Sequence, residues 1–437
     1  MTDVATPIPH VDSTIRRLAR AAARAETLIA VALAAVTLHV LDDNFIQPEH
    51  GTSAGDHLVS GLVPAALLTA LAVLGARLRP GLRAALVAMA GMFGVVAGTE
   101  GAYYAGKTGL SGDDYTGLVS IPAGLLLIAI ALSLLWRSRK SEGSLTRRSV
   151  RRVLVGVAAA LTTFLILVPF FGAQVLTHAA RANVPAPNLG APYENVSFTT
   201  SDGLRLHGWY VPSKNGAAVI SFPGRKGSQK PARMLARHGY GVLLFDRRGE
   251  GESDGDPNGW GWGGYRDVDA AVGYLQARAD VEPDRVGGIG LSVGGEMMLE
   301  AASKSRGLKA VVSEGAGERS LNEFLDMTVA NKWLAFPQYA SMTAGIALFS
   351  NKTPPPSLKN LVDDIAPTPV MFIYGEHGQD GERNLNPMYY KAAKEPKAIW
   401  EVPGAGHVGG IDARPKQYEQ RVVAFFDDAL LQDATNG

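Results

Sequence analysis

The chain has 437 residues, with 42 lysines and arginines against 41 acidic residues and no cysteine. That length exceeds one ordinary domain, and a net charge near zero gives no sign with which to steer nucleic acid. The missing thiols exclude disulfides, cysteine nucleophiles, thiolate metal sites and lipidated cysteines.

Composition divides the chain. Before about Ala180 the sequence is long apolar runs with few acids; after it, charged residues, prolines and turn clusters occur at globular frequency. Five apolar stretches fall in the first part: Thr27 to Leu41, Leu58 to Ala76, Ala84 to Thr99, Thr116 to Trp136 and Val153 to His178. A helix crossing the hydrocarbon core needs about 20 residues. The second, fourth and fifth reach this, whereas the first and third need flanking residues such as Ala21 to Ala25 or Gly101 to Ala105. A soluble core helix would show a polar face, and Leu58 to Ala76 carries no charge. Residues 1–180 are therefore predicted to be a helical transmembrane domain.

Basic residues set its expected orientation. They gather as Arg16, Arg17, Arg20 and Arg24 before the first stretch, as Arg77, Arg79 and Arg83 after the second, and as Arg137, Arg139, Lys140, Arg147, Arg148, Arg151 and Arg152 after the fourth. Asp42 to His57 holds none, and Glu100 to Asp114 only Lys107. The positive-inside rule then puts the amino terminus in the cytoplasm and everything after about His178 outside it, in a multi-pass protein of the plasma membrane. A third stretch that failed to cross would reverse that outcome. A signal peptide is the other reading of the first stretch, but Asp42-Asp43-Asn44 follows it where a cleavage site would have small residues.

Three features of this part carry no function. Gly101 to Thr108 (GAYYAGKT) fits the phosphate-loop pattern, yet it follows an apolar span where that loop needs a buried strand before it. Gly94 and Gly98 have the spacing of close helix contacts. His39 and Glu100 lie near span ends, where polar side chains ordinarily reach water. No span carries a charge at mid-depth, which speaks against a transporter or channel.

Arg181 to Pro192 has three prolines and no apolar periodicity, and reads as a semi-extended linker. Residues 193–437 follow as one globular domain. Val196 to Thr200 and Leu204 to Val211, joined across Ser201-Asp202-Gly203, predict an antiparallel hairpin. Apolar strands then alternate with helices: Ala217 to Phe222, Gly241 to Phe245, Val286 to Ile289, Ala310 to Ser313, Val370 to Tyr374 and Ile399 to Val402, with a proline-containing insertion over about 315–366. Continuous apolar strands separated by helices predict an α/β domain with a mostly parallel sheet covered on both faces, and a site at the carboxyl ends of the strands.

Gly-x-Ser-x-Gly occurs three times, around Ser53, Ser253 and Ser292. Only Ser292 has a strand before it and a helix after it, the context in which a tight turn lifts a serine above the sheet edge. With Phe222-Pro-Gly224-Arg225 and Asp246-Arg-Arg-Gly249 after two earlier strands and Val402-Pro-Gly-Ala-Gly-His407 after the last, the domain resembles the α/β-hydrolase fold family over nearly all of Tyr193 to Leu431. The resemblance implies Ser292 as nucleophile, with the backbone amides of Val293 and Arg225 as oxyanion donors; Pro223 stands where many relatives carry histidine. Of nine histidines only His377 and His407 lie downstream of the serine, and His407 is the expected base. The acid should follow Tyr374. In many relatives an aspartate falls three residues after the glycine, where this chain has Gly378. Asp380 is the first expectation, Glu376 and Glu382 are the alternatives, and Glu314 is a lesser one.

Asp246 to Gly249 is expected to shape a turn. Arg225, Lys226 and Lys230 are either solvated or a preference for an anionic acyl group, Trp260 and Trp262 are candidate pocket walls, and Phe324 to Phe349 is a candidate lid. The reading is a membrane-anchored serine hydrolase that cleaves a carboxylic ester of a small-molecule or lipid-like acyl substrate through an acyl-enzyme, with no metal or organic cofactor. A peptidase or thioesterase with the same triad, or a non-catalytic envelope-binding module on the same fold, are the alternatives. Oligomeric state is not read from the sequence.

Overall fold

The structure, a computed structural model, describes residues 9–107, 109–137, 144–181 and 183–432, without the side chains of residues 9–22, 137 and 145. The side chains of Arg16, Arg17, Arg20 and Arg137, with Thr108, Arg139 and Lys140, thus lie outside the described residues. The chain forms two compact units, Met1–Pro48 with His57–Thr163, and Glu49–Asp56 with Phe164–Gly437.

The first unit is helical. It comprises α1 (Pro9–Leu41), α2 (Leu58–Leu74), α3 (Pro80–Ala97), α4 (Thr99–Lys107), α5 (Asp114–Arg137) and α6 (Leu145–Thr162). Among the described residues five helical spans are long and apolar enough to cross a membrane: Ala23–Ile46, Ala54–Arg77, Pro80–Lys107, Asp114–Trp136 and Thr146–Thr177. The first and third gain their length from helical turns beyond the apolar stretch, Asp42–Ile46 after α1 and α4 after α3.

Glycines bring α3 and α5 to backbone distance. A Cβ on Gly124 would lie 2.5 Å from the Gly91 carbonyl oxygen, and one on Gly98 would overlap that of Gly117. The Gly94/Gly98 spacing therefore has a partner helix, and its glycine row extends to Gly91. His39 does not reach water as expected. It is buried, with Nε2 3.1 Å from the Ala97 carbonyl and Nδ1 3.3 Å from Thr116 Oγ1, because an imidazole between helices is satisfied by their polar groups. Gly101 to Lys107 is helix α4, with Gly101 packed on the Asp114 backbone, so no loop is available to cradle a phosphate.

The second unit begins with the end of the fifth span, α7 (Val168–Thr177), and continues through β1 (Glu194–Thr199), β2 (Arg205–Val211), β3 (Ala218–Phe222), α8 (Lys230–Arg237), β4 (Gly241–Phe245), α9 (Tyr265–Gln276), β5 (Val286–Leu291), α10 (Val293–Lys304) and β6 (Ala310–Glu314). The insertion holds α11 (Leu321–Asp326) and α12 (Lys332–Phe349); β7 (Val370–His377), α13 (Asp380–Ala392), β8 (Lys397–Gly406), α14 (Gly410–Ala413) and α15 (Pro415–Leu430) complete it. The eight strands form one sheet in the order β1-β2-β4-β3-β5-β6-β7-β8. β2 pairs antiparallel with β1 and β4, and every other pairing is parallel.

Every residue of β3 to β6 is buried, as strands covered on both faces must be. Two apolar cores fill the two faces. One gathers Phe222, Phe245, Met298 and Phe372 under α9, α10 and α13, the other Val219, Ile289, Val312 and Phe426 under α8 and α15.

The division between the units falls at Thr163 and Phe164, upstream of the expected boundary near Ala180, because α7 is docked. Gly345 lets α12 close on it, since a Cβ there would lie 2.5 Å from the Phe170 carbonyl oxygen. Ser341 Oγ donates to the Ile166 carbonyl at 2.7 Å, and the Gly259 amide donates to that of Leu176 at 2.8 Å. The expected linker is also laid down on the unit. Arg181 donates to Glu49 at 2.8 Å, the Asn188 amide donates to Gln229 at 2.6 Å, and Leu189 is buried. The segment Glu49–Asp56 joins through the Gly255 amide, which donates to the His50 carbonyl at 2.8 Å, and through Asn351, which donates to the Asp56 carbonyl at 2.7 Å.

Candidate active site

β5 ends at Leu291 and α10 starts at Val293, so the backbone must turn within one residue. Ser292 makes the turn at φ 53° and ψ −126°, a left-handed conformation that costs a non-glycine residue about 1–3 kcal/mol. The surrounding glycines make room. A Cβ on Gly290 would overlap the Gly294 carbonyl, and one on Gly295 would lie 2.5 Å from Ser313 Oγ. The other two serines of the same pattern have structural work: Ser253 is buried, donating to the Asp246 carbonyl at 2.6 Å, and Ser53 donates to Asp56 at 2.7 Å.

His407 follows β8, and its Nε2 stands 2.9 Å from Ser292 Oγ. Its Nδ1 is hydrogen-bonded to the carboxylate of Glu382, which is only 1 % exposed. Glu382 is the third residue of α13 and reaches back over the turn before it. Oε1 accepts from the Gly375 amide at 2.9 Å and Oε2 from the Gln379 amide at 3.4 Å, and the Gln379 side chain completes a capping box.

Asp380, the first expectation for the acid, is not brought to His407. α13 starts at that residue, so its side chain points outward, 83 % exposed and 3.9 Å from Arg383. Glu376 also lies elsewhere, accepting from the Gly404 amide at 2.8 Å. Glycine at 378 is part of the same arrangement, since a Cβ there would collide with Glu382 Oε1. The signal in the sequence is Gln379-x-x-Glu382, a capping pair at a helix start. Glu314 serves as a buried prop: it accepts from the Gly410 amide at 2.8 Å and Tyr418 Oη at 2.6 Å, fixing the segment after His407, and burial pushes its carboxyl above the ordinary range.

Val293 is the first residue of α10 and lines the cavity beside Ser292. Its N–H is among those a helix start leaves without an internal acceptor, where the dipole favours negative charge. Arg225 follows Gly224 after β3, and its guanidinium is occupied, donating to Asp246 at 3.0 Å and Glu252 at 2.8 Å. Lys226 pairs with Glu250 at 2.6 Å and Lys230 with Asp412. The basic loop is thus matched by acids. Asp246 and Arg248 shape the turn, Arg248 donating to Asp267 at 2.8 Å.

A cavity of about 560 Å³ opens on Ser292 and His407, a volume suited to a small ligand. Trp260 lines it as expected, whereas Trp262 is buried and donates to the Arg319 carbonyl at 2.7 Å. Gln338, Tyr339 and Met342 of α12, within the insertion, form one wall. Two contributors are missing from the sequence reading. Phe164, Val168, Pro169 and Gly172, from the end of the fifth span, form another wall. Glu296, one turn after Ser292, is buried in the lining, with Oε1 accepting from the Gly317 amide at 2.9 Å and Oε2 without a partner among the described residues. Burial pushes its carboxyl up to about 8. Among the described residues no group of three or more His, Asp or Glu side chains is gathered to hold a metal ion.

Similarity to known proteins falls on this part of the chain. A family model described as X-Pro dipeptidyl-peptidase (S15 family) matches residues 170–366. The uncharacterized protein YfhR of Salmonella typhi is 30 % identical over 267 residues, which cover 55 % of this chain and 83 % of that protein. Polyketide transferase grgF of a Penicillium species is 27 % identical over 277 residues, covering 50 % and 91 %. Among solved structures, an esterase of Pyrococcus furiosus aligns with a TM-score of 0.48 and 22 % identity over 58 % of this chain and 98 % of its own.

Proposed function

Since this chain belongs to the α/β-hydrolase fold family, we propose that it is a membrane-anchored serine hydrolase that cleaves a carboxylic ester through an acyl-enzyme. The observation that carries the reading is the line from Ser292 Oγ through the two nitrogens of His407 to Glu382. Glu382 accepts from Nδ1–H and so keeps the Nε2 lone pair facing the serine hydroxyl. As Ser292 Oγ attacks the acyl carbon, its proton passes to Nε2, and the oxyanion is met by the amides of Val293 and Arg225. The C–O bond then breaks, and His407 returns the proton to the leaving alcohol. A water repeats the sequence on the acyl-enzyme, releasing the acid and restoring the serine; Glu382 stays ionised throughout.

One observation favours an acyl group over a charged peptide terminus: Glu296, buried in the lining beside Ser292, is held mostly neutral at pH 7 and offers no full charge to an amino group. The S15 description of the matching family model supports a second reading, the same triad acting on a peptide.

Anchoring is supported by the five spans, and sidedness by two observations together. Glu49–Asp56, between the first and second spans, packs in the same unit as everything after Phe164. An even number of crossings must then separate them, as four spans do. Arg77, Arg79 and Arg83, with Arg147, Arg148, Arg151 and Arg152, lie at the opposite ends of those spans, which supports an extracytoplasmic hydrolase.

Labelling of the full chain in right-side-out vesicles by a fluorophosphonate tests the reading. The expected result is labelling that disappears in Ser292→Ala; a folded wild type that takes no label leaves only the non-catalytic binding module. Turnover of p-nitrophenyl acetate against an X-Pro p-nitroanilide separates ester from peptide.

A further inference from the structure

We infer that the ester cleaved here belongs to an amphiphile resident in the bilayer, whose acyl chain reaches Ser292 along the end of the fifth span; the inference rests on the serine-hydrolase reading and names its substrate class. The span Thr146–Thr177 opens with four arginines, and from Val153 to Thr177 its apolar part has 25 residues, about 37 Å of helix, against a hydrocarbon core of about 30 Å. A crossing that starts at Val153 therefore still includes Phe164 and Val168. The carboxyl end is the covered part, where Pro169, Phe171, Ala173 and Thr177 are buried in the hydrolase unit. Phe164 and Val168, just before, remain 62 % and 53 % exposed. These two residues line the cavity that holds Ser292. The cavity thus lies where this helix passes from bare to covered.

That position decides what the cavity can take from its surroundings. In water, an apolar lip of this kind is a liability. In a bilayer it is solvated by acyl chains, and a chain that slides from lipid along Phe164 and Val168 exchanges one apolar environment for another without crossing water. The neighbouring helix carries a matching surface. Near the start of α12, which packs on α7, Trp333 and Leu334 are the two most exposed large apolar side chains among the described residues, at 74 % and 71 %. A tryptophan so placed suits the interface between headgroups and hydrocarbon. Inside, Gly172 leaves space for a chain, since a Cβ there would approach nothing closer than Met342 Cε at 3.9 Å. Phe164, Val168, Pro169 and Gly172 make the α7 side of the cavity apolar, while Ser292, His407 and Glu296 lie on another part of its lining, an arrangement that suits an amphiphile with its ester at one end.

The test uses the full chain in vesicles of an ether-linked phosphatidylcholine, which offers no acyl ester of its own. p-Nitrophenyl acetate is supplied in the water and p-nitrophenyl palmitate within the bilayer, the latter at several mole fractions and constant bulk concentration. The expected result is a palmitate rate that follows mole fraction, and a palmitate-to-acetate ratio that drops at least tenfold in both Gly172→Trp and Met342→Trp, with fluorophosphonate labelling reporting that each variant is folded. A palmitate rate that follows bulk concentration assigns the site to soluble esters and overturns the inference, as does a ratio unchanged in both variants. Acetate turnover that persists in either case leaves the hydrolase reading intact. Failure on both esters, with no labelling, removes the hydrolase reading and the inference with it.

Discussion

Glu382 does three things at once: it caps α13, fills the space above Gly378 and holds His407 Nδ1. Glu382→Gln keeps the shape but offers an N–H or a neutral oxygen to the imidazole, and kcat on a p-nitrophenyl ester should fall on the order of 10³- to 10⁴-fold, the scale seen when a triad acid is neutralised. Asp380→Asn, at an exposed helix start, should stay within about twofold in the same assay. Glu296 gives a prediction in pH. Its carboxyl ordinarily titrates near 4.5 and here holds its proton to about 8, so between those values the unfolded chain has released a proton that the folded chain keeps. Its contribution to stability is complete below pH 4.5, shrinks as pH rises, and is lost above about 8. Urea unfolding at pH 5 to 8 should show the wild type losing several kcal/mol relative to Glu296→Gln; parallel curves would assign the proton elsewhere.

At the scale of elements, the contact between α7 and α12 depends on one missing side chain. Gly345→Leu forces them apart, and overpacking of this kind costs about 1–3 kcal/mol, so the unfolding midpoint of the purified protein should drop by roughly 5 °C; an unchanged midpoint would mean that α12 is not held there. The sequence shows the sheet because buried parallel strands are unbroken apolar runs such as Gly241–Phe245, and it shows Ser292 and His407 because each closes a glycine-rich turn at a strand end. The acid is harder to read, since its place depends on whether Asp380 belongs to a loop or opens a helix, and a shift of one element boundary exchanges an outward carboxylate for an inward one. The docking of α7 is hidden for another reason. A helix face that meets lipid and one that meets protein use the same apolar residues, so Val153 to His178 reads as one uniform span although its last third is core.

For the molecule as a whole, the absence of cysteine makes topology directly measurable. A thiol introduced as Asp284→Cys, on the surface of the hydrolase unit, should react with a membrane-impermeant maleimide in intact cells. One introduced as Arg79→Cys should react only after permeabilisation, and the reverse pattern would put the hydrolase in the cytoplasm. The wall built from Phe164, Val168, Pro169 and Gly172 also bears on how this enzyme can be handled in the laboratory. A fragment cut before β1 retains Ser292, Glu382 and His407 but removes one side of the recess in which they work and bares the flank of α12. Such a fragment reports on the reactivity of the serine towards small probes and says little about selectivity. Inhibitors ranked against it are ranked against an opened site, so screening belongs with the intact chain in lipid or detergent.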